Sequence, residues 1–306
     1  MDPAPQALAT RCGSIRFPAY VPVTTFGERY PLDDLVRPYL PRLASAVMAS
    51  YHYARQMKEA PRLPLLVDSG GFTSLFSGAH VVPSSGLGVL EIDRDGKAER
   101  IHPRDVLELQ ERVADVAFTL DFPVPPAMDR ADAYRRLELT VANAQWALSN
   151  RRRRDMPLFA CVQAWDAASA RECARSYADA PFEGIAIGGL VPRANDLAAV
   201  LSIVQAVRTE IDDRPIHVFG LGKPQLVSAL FEAGVDSVDS SSYVQLAADG
   251  RLWSNPKYKI KDPSPTDRLH LALCNLATAT GRALPLSAAN LTFSTQTLAY
   301  HGAVAE

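Results

Sequence analysis

Cysteine is scarce and dispersed. Four residues in 306, Cys12, Cys161, Cys173 and Cys274, are too widely scattered for a short-spaced metal motif and too few for a disulfide framework in a chain of this length, which points to a reducing, cytoplasmic setting. Charge of one sign is also lacking. The 32 Lys and Arg against 34 Asp and Glu leave a formal net charge of -2, which excludes a protein that coats nucleic acid by bulk electrostatics while leaving room for a local basic patch. No apolar run approaches the roughly 20 residues that span a bilayer, and the N-terminal MDPAPQALATRCGSIRF has neither the basic start nor the apolar stretch of a secretory signal. No membrane partner is expected. What is present is ordinary: 47% hydrophobic and 22% charged residues suffice for a sizeable core.

Short β-rich apolar runs at 64–68, 116–121, 158–163, 184–190, 217–220 and 235–239, with an earlier one at 19–24, alternate with helical patterns at 32–58, 103–113, 130–153, 167–177, 195–209 and 223–233. That rhythm predicts an α/β fold, a (β/α)8 TIM barrel. Clusters of Ser, Gly and Pro and an Asp-Arg-Asp-Gly turn over 76–100 predict a loop and hairpin inserted after an early strand. After Tyr243 the rhythm decays. Residues 1–250 are therefore expected to form the barrel, and 251–306, with Pro256, Pro263, Pro265 and Pro285, a C-terminal extension packing on it.

The polar residues carry the functional signal. Asp68, Asp121, Gln163, the pair Gly188 and Gly189, Gly220 and Asp239 each close a separate apolar strand, and in a barrel those ends converge on the face where active sites are built. An Asp or Gly after one strand can merely cap a helix or make a turn; six recurrences are poorly explained that way. Gly70 and Gly71 after Asp68 let a ligand approach the backbone, with Phe72 as an aromatic face. Backbone amides in Ile187-Gly188-Gly189-Leu190 suit the carbonyl of a planar heterocycle, and Gln163 and Asp121 suit the rest of a purine edge. Strand alternation turns Asp239 away from Val238, and Asp236 reads as the structural acid of the two. Paired carboxylates on a barrel mouth suit glycosyl chemistry, one attacking the anomeric carbon and the other handling a proton.

In order along the chain, LVDSGGF, FTLDFPVPP, CVQAW, GIAIGGLVP, HVFGLGKP and GVDSVDSSSY resemble the tRNA-guanine transglycosylase superfamily over about the central two-thirds of the sequence. DSSSY followed by Ala247, Gly250 and Arg251 looks more like the archaeal type than the bacterial queuine type, and proteins that insert 7-deazaguanines into DNA belong to the same wider group. The resemblance implies Asp239 as nucleophile and Asp68 as general acid/base. It also implies base recognition by Asp121, Gln163, Gly189 and the Leu190 backbone, with Phe72 and Phe219 flanking, and no organic cofactor. The substituent on the base would meet Val191 and Cys161.

The sequence departs from the family in two places. The usual zinc motif is missing: Cys274 is its candidate relic, but Leu276 and Ala279 stand where further ligands are expected, and His270 and His301 read as ordinary surface or tail histidines, so no structural zinc is predicted. Ser242-Tyr243-Val244-Gln245 replaces the Pro-Thr-Arg stretch that helps read the anticodon loop in bacterial queuine enzymes, and the RNA-binding domains of archaeal relatives are not expected. The leading expectation is exchange of guanine for a 7-deazaguanine in DNA or tRNA. The alternatives are a 7-deazapurine glycosyltransferase using a small activated sugar, and a non-catalytic partner subunit, against which the retained acids argue. A homodimer is compatible with the family. Arg151 to Arg154 reads as a solvated helix end, and Lys257, Lys259 and Lys261, alternating with Tyr258 and Ile260, as either an edge strand kept soluble by charge or a phosphate-contacting stretch.

Overall fold

The computed structural model describes residues 7–25, 31–94, 97–255, 257–282 and 284. An antiparallel hairpin, β1 (Ala7–Thr10) and β2 (Gly13–Arg16), precedes β3 (Ala19–Pro22). Then come α1 (Pro31–Val36), α2 (Leu40–Leu43), β4 (Val47–Ala49), α3 (Tyr51–Ala54) and β5 (Leu65–Val67). An antiparallel meander follows, β6 (Ala79–Ser84), β7 (Leu87–Arg94) and β8 (Lys97–Ile101). Regular alternation then sets in: α4 (Pro103–Val113), β9 (Val116–Phe118), α5 (Arg130–Asn150), β10 (Leu158–Val162), α6 (Ala167–Arg175), β11 (Gly184–Ile187), α7 (Leu197–Arg208), β12 (Ile216–Val218), α8 (Pro224–Glu232) and β13 (Ser237–Ser240). Helices α9 (Ser242–Ala248) and α10 (Pro265–Thr280) complete the described chain.

Eight of these strands form one parallel sheet in the order β3-β13-β12-β11-β10-β9-β5-β4. Its two outer strands meet at a parallel bridge between Val23 and Met48, where the Thr24 amide donates to the Met48 carbonyl at 2.8 Å. The sheet thus curls into the (β/α)8 barrel that the alternation predicts. Side chains divide by strand period. Val21, Met48, Leu66, Phe118, Phe159, Cys161 and Ala186 fill the interior, whereas Val67, Ala117, Ile185, Val218 and Val238 pack outward in the larger core shared with the helices. Leu8, Ile15 and Phe17 from the N-terminal hairpin region join the interior cluster and close one end. No helix among the described residues is long and apolar enough to cross a membrane.

Several expectations need correction. The helical pattern at 32–58 is not one helix: it breaks at Ala44, turns extended, and contributes the barrel strand β4. The short apolar stretch Val47-Met48-Ala49 satisfies a helical period as readily as a strand period, and pairing with β5 decides it. The insertion is a three-stranded meander rather than a loop and hairpin. Arg151 is not a solvated helix end, since it is buried and forms a bidentate pair with Glu183 at 2.7 Å per contact. Lys259 makes only an isolated bridge with Arg251, not a continuous edge strand. His270 is buried within α10, whose Leu269, Leu271, Leu273 and Leu276 share the barrel's outer core. Pro256, Pro285, His301 and the stretch 285–306 lie outside the described residues.

Candidate active site

A cleft of about 1810 Å³ opens where the strand ends converge, and Asp68, Phe72, Asp121, Gln163, Gly188, Gly189, Phe219 and Asp239 all line it. Leu190 is wholly buried behind the wall formed by Gly189 and Val191, and Cys161 lies in the barrel interior rather than on the cleft.

Asp68 follows β5 directly. Its Oδ1 accepts the amides of Tyr51 at 2.8 Å and Gly70 at 2.9 Å. Burial pushes its carboxyl up to about 7 against the pull of those two amides, and the charges of Asp239 and Asp121 push the same way. Asp68 and Asp239 thus share one cleft and sense each other electrostatically. A carboxyl poised near neutrality can both give and take a proton.

Asp121, after β9, is buried and carries a hydrogen-bond network on the cleft wall. Its Oδ1 accepts the Ser69 hydroxyl at 2.6 Å, and its Oδ2 accepts the side-chain amide of Gln163. Desolvation raises its pKa despite both bonds. That contact aims the Gln163 amide nitrogen at Asp121, so Oε1 is the remaining acceptor, buried and without a partner. A buried acceptor of this kind calls for a ligand donor or a water. Gly188 packs so closely that a side chain there would overlap the Gln163 amide. Gly189 adopts φ 69°, and its carbonyl accepts Arg193 at 2.8 Å. Among the hydrogen bonds of the described residues, none uses the Gly189 or Leu190 amide as donor. The Gln163 carbonyl oxygen and the Gly189 amide are thus an acceptor and a donor left open on the cleft wall.

Asp239 lies near the end of β13 and lines the cleft at the barrel mouth. Its Oδ1 faces His217 Nε2 at 3.1 Å and the Gly220 amide at 3.1 Å. Phe219 stands beside it, its ring 4.9 Å from both Phe118 and His217, while the half-exposed Phe72 packs edge-on to Phe76 at 5.6 Å. Asp236, by contrast, accepts the Ile216 amide and pairs with Arg208, a structural role.

The family model for queuine tRNA-ribosyltransferase matches residues 7–279. The chain belongs to that family. It is similar to a tRNA-guanine(15) transglycosylase of Pyrococcus furiosus, 33% identical over 54% of this chain and 29% of that protein. The same named enzyme of Methanothermobacter thermautotrophicus is 28% identical over 83% of this chain and 38% of its own. A queuine tRNA-ribosyltransferase of Thermosipho africanus is 29% identical over 61% of this chain and 52% of that protein. The chain spans about a third of the length of those archaeal relatives.

In this member of the queuine tRNA-ribosyltransferase family the described residues do not provide a tetrahedral zinc set. Cys274 Sγ and His270 Nε2 lie 3.4 Å apart on successive turns of α10, but among the described residues no cluster of three or more His, Cys, Asp or Glu could hold a metal.

Three contributors escaped sequence reasoning. The Tyr51 amide reaches Asp68 only because β4 is a strand. Arg193 ties the loops after β9, β10 and β11 together through the carbonyls of Val124, Trp165 and Gly189. His217 contacts Asp239 from inside the barrel. Its position was legible: it alternates with Ile216 and Val218, which face outward.

Proposed function

We propose that this chain replaces a guanine-type base by a 7-deazaguanine in a polynucleotide, with Asp239 as nucleophile and Asp68 as proton carrier. The observation that carries this reading is the pair of unlike carboxylates on one cleft. Asp239 is oriented by two contacts at one oxygen, and Asp68 is held near neutrality by burial.

In the first step the carboxylate of Asp239 bonds to the anomeric carbon as the glycosidic carbon–nitrogen bond breaks. The bonding pair leaves with the base, which takes a proton from Asp68 directly or through one water. In the second step the incoming 7-deazaguanine gives its ring N–H proton to Asp68, and its nitrogen bonds to the anomeric carbon. The ester bond to Asp239 then breaks. Both acids return to their starting states, and two inversions retain configuration. Asp121 and Gln163 Oε1 accept from the amino and ring N–H groups of the base, and the Gly189 and Leu190 amides donate to its carbonyl. Phe72 and Phe219 supply flanking aromatic surface.

A polynucleotide is favoured over a small activated sugar by the size of the cleft, about 1810 Å³, beyond the roughly 300–1,000 Å³ of small-molecule pockets. The exposed Lys58 and Arg62 on its wall favour it too. The names of the relatives point to tRNA; DNA is tested beside it. Labelled 7-deazaguanine is incubated with the purified protein and DNA, tRNA or an activated sugar. Label in a polynucleotide supports the proposal. Label only in the sugar selects the small-sugar reading, and no label in any acceptor sinks both. Asp239→Asn is expected to lose at least about 10³-fold in exchange and to form no acid-stable adduct, as read on a denaturing gel.

A further inference from the structure

Beneath Asp239, inside the barrel, lies a row of polar side chains that the exchange reaction has not yet used. His217 is fully buried. Its Nε2 lies 3.1 Å from Asp239 Oδ1, and its Nδ1 lies 2.8 Å from Ser237 Oγ. Its ring sits between Phe118 and Phe219, at 5.0 and 4.9 Å.

The chemistry of the partners assigns the roles. A carboxylate oxygen only accepts, so Nε2 donates to Asp239; in the Nε2–H tautomer Nδ1 is an acceptor, and the rotatable Ser237 hydroxyl is its donor. Oδ1 of Asp239 thereby receives two N–H groups, from His217 and Gly220. The other oxygen, Oδ2, makes no hydrogen bond among the described residues, and Asp239 lines the cleft. Oδ2 is the oxygen left to react.

We infer that His217, held as the Nε2–H tautomer by the Asp239 carboxylate and supported at Nδ1 by the Ser237 hydroxyl, is a positioning residue that selects Oδ2 of Asp239 as the attacking atom and stabilises the carboxylate when it departs. The inference rests on the nucleophile assignment proposed above. In the covalent intermediate Oδ2 is bonded to the anomeric carbon and Oδ1 is the ester carbonyl, a weak acceptor. As the ester bond breaks, its electron pair returns to the carboxylate and negative charge regrows on Oδ1. The donors there grip the leaving group more strongly than the ester. Removing the His217 donor therefore slows release of the glycosyl unit more than its capture, so the covalent form accumulates. A residue that only filled the barrel interior would not shift that balance.

The test compares wild type with His217→Phe, His217→Gln and Ser237→Ala. Phe keeps an aromatic ring against Phe118 and Phe219 without a donor, and Gln restores an N–H. Rapid-quench single turnovers on the acceptor labelled by wild type should show release slowed about 10- to 100-fold in His217→Phe. The trapped adduct should rise, and the equilibrium affinity for the base should stay unchanged. His217→Gln should recover most of the release rate, and Ser237→Ala, which leaves the ring in place, should show a smaller slowing in the same direction. The ¹⁵N spectrum of the wild-type imidazole should report the Nε2–H tautomer. Wild-type adduct levels in His217→Phe, no recovery in His217→Gln, or an Nδ1–H tautomer would each overturn the role. A wild type inert on every acceptor, with the Nε2–H tautomer intact, would instead strike the transglycosylase reading and take the positioning role with it.

Discussion

Asp68 is where environment has changed a residue's chemistry most clearly. Its native pKa of about 7 stands above the ordinary carboxyl value, so the folded protein binds a proton there that the unfolded chain has already released. Stability should therefore fall as pH rises from about 4 to about 7 and level off above that. Asp68→Asn removes the dependence, and its melting temperature relative to wild type should climb across the same window. The catalytic consequence runs parallel. Capture of the glycosyl unit needs Asp68 protonated, so its rate should decline above pH 7, whereas release of the sugar to an incoming base needs Asp68 ionised and should decline below it. Single-turnover pH profiles of the two steps should cross near pH 7, and a flat profile for both would remove Asp68 from the proton path. The acids could be located from sequence because each closes an apolar run. The value of about 7 could not, because it arises from burial and from two other acids brought in from β9 and β13.

Among the elements, seven of the eight barrel strands and helices α4 to α8, though not α9 and α10, were legible because each carries its own period and punctuation, such as Pro103 opening α4 and Asp166 capping α6. Strand β4 was not. Three residues inside an apolar stretch carry too little pattern, and only pairing to β5 and the bridge to Val23 make them a strand. That omission hid the Tyr51 amide, and with it half of the cradle around Asp68. Arg193 was hidden for a related reason: a lone arginine after Val191-Pro192 reads as solvent-facing, yet it is buried and donates to carbonyls on three loops. Arg193→Met should leave those carbonyls without their donor, costing about 1–3 kcal/mol in urea unfolding. Because one of them belongs to Gly189, guanine affinity measured by calorimetry should fall as well. Loss of stability with unchanged affinity would make Arg193 a strut and no more.

For the whole molecule the deciding property is how charge is distributed. A net charge of -2 gives a polynucleotide no general attraction, so engagement has to come from local cations. Among the described residues of the cleft wall Arg37 is already paired with Asp34, which leaves the exposed Lys58 and Arg62 as the cations for phosphate. Each phosphate neutralised contributes a slope of about 0.7 to 0.9 in log affinity against log salt. Two such contacts predict that log KM for the polynucleotide rises with log salt at a slope below about 2, far shallower than that of a protein that grips many phosphates. Lys58→Glu with Arg62→Glu should raise KM and flatten the slope. Capture at saturating polynucleotide should stay at the wild-type rate, since neither residue touches the acids. An acceptor no larger than an activated sugar has at most a few charges to place against these cations and lies within reach of the acids alone, so the double variant would leave its KM unmoved. The salt slope therefore separates the two acceptors even before the product is identified, because it reports how much of the substrate lies outside the pocket.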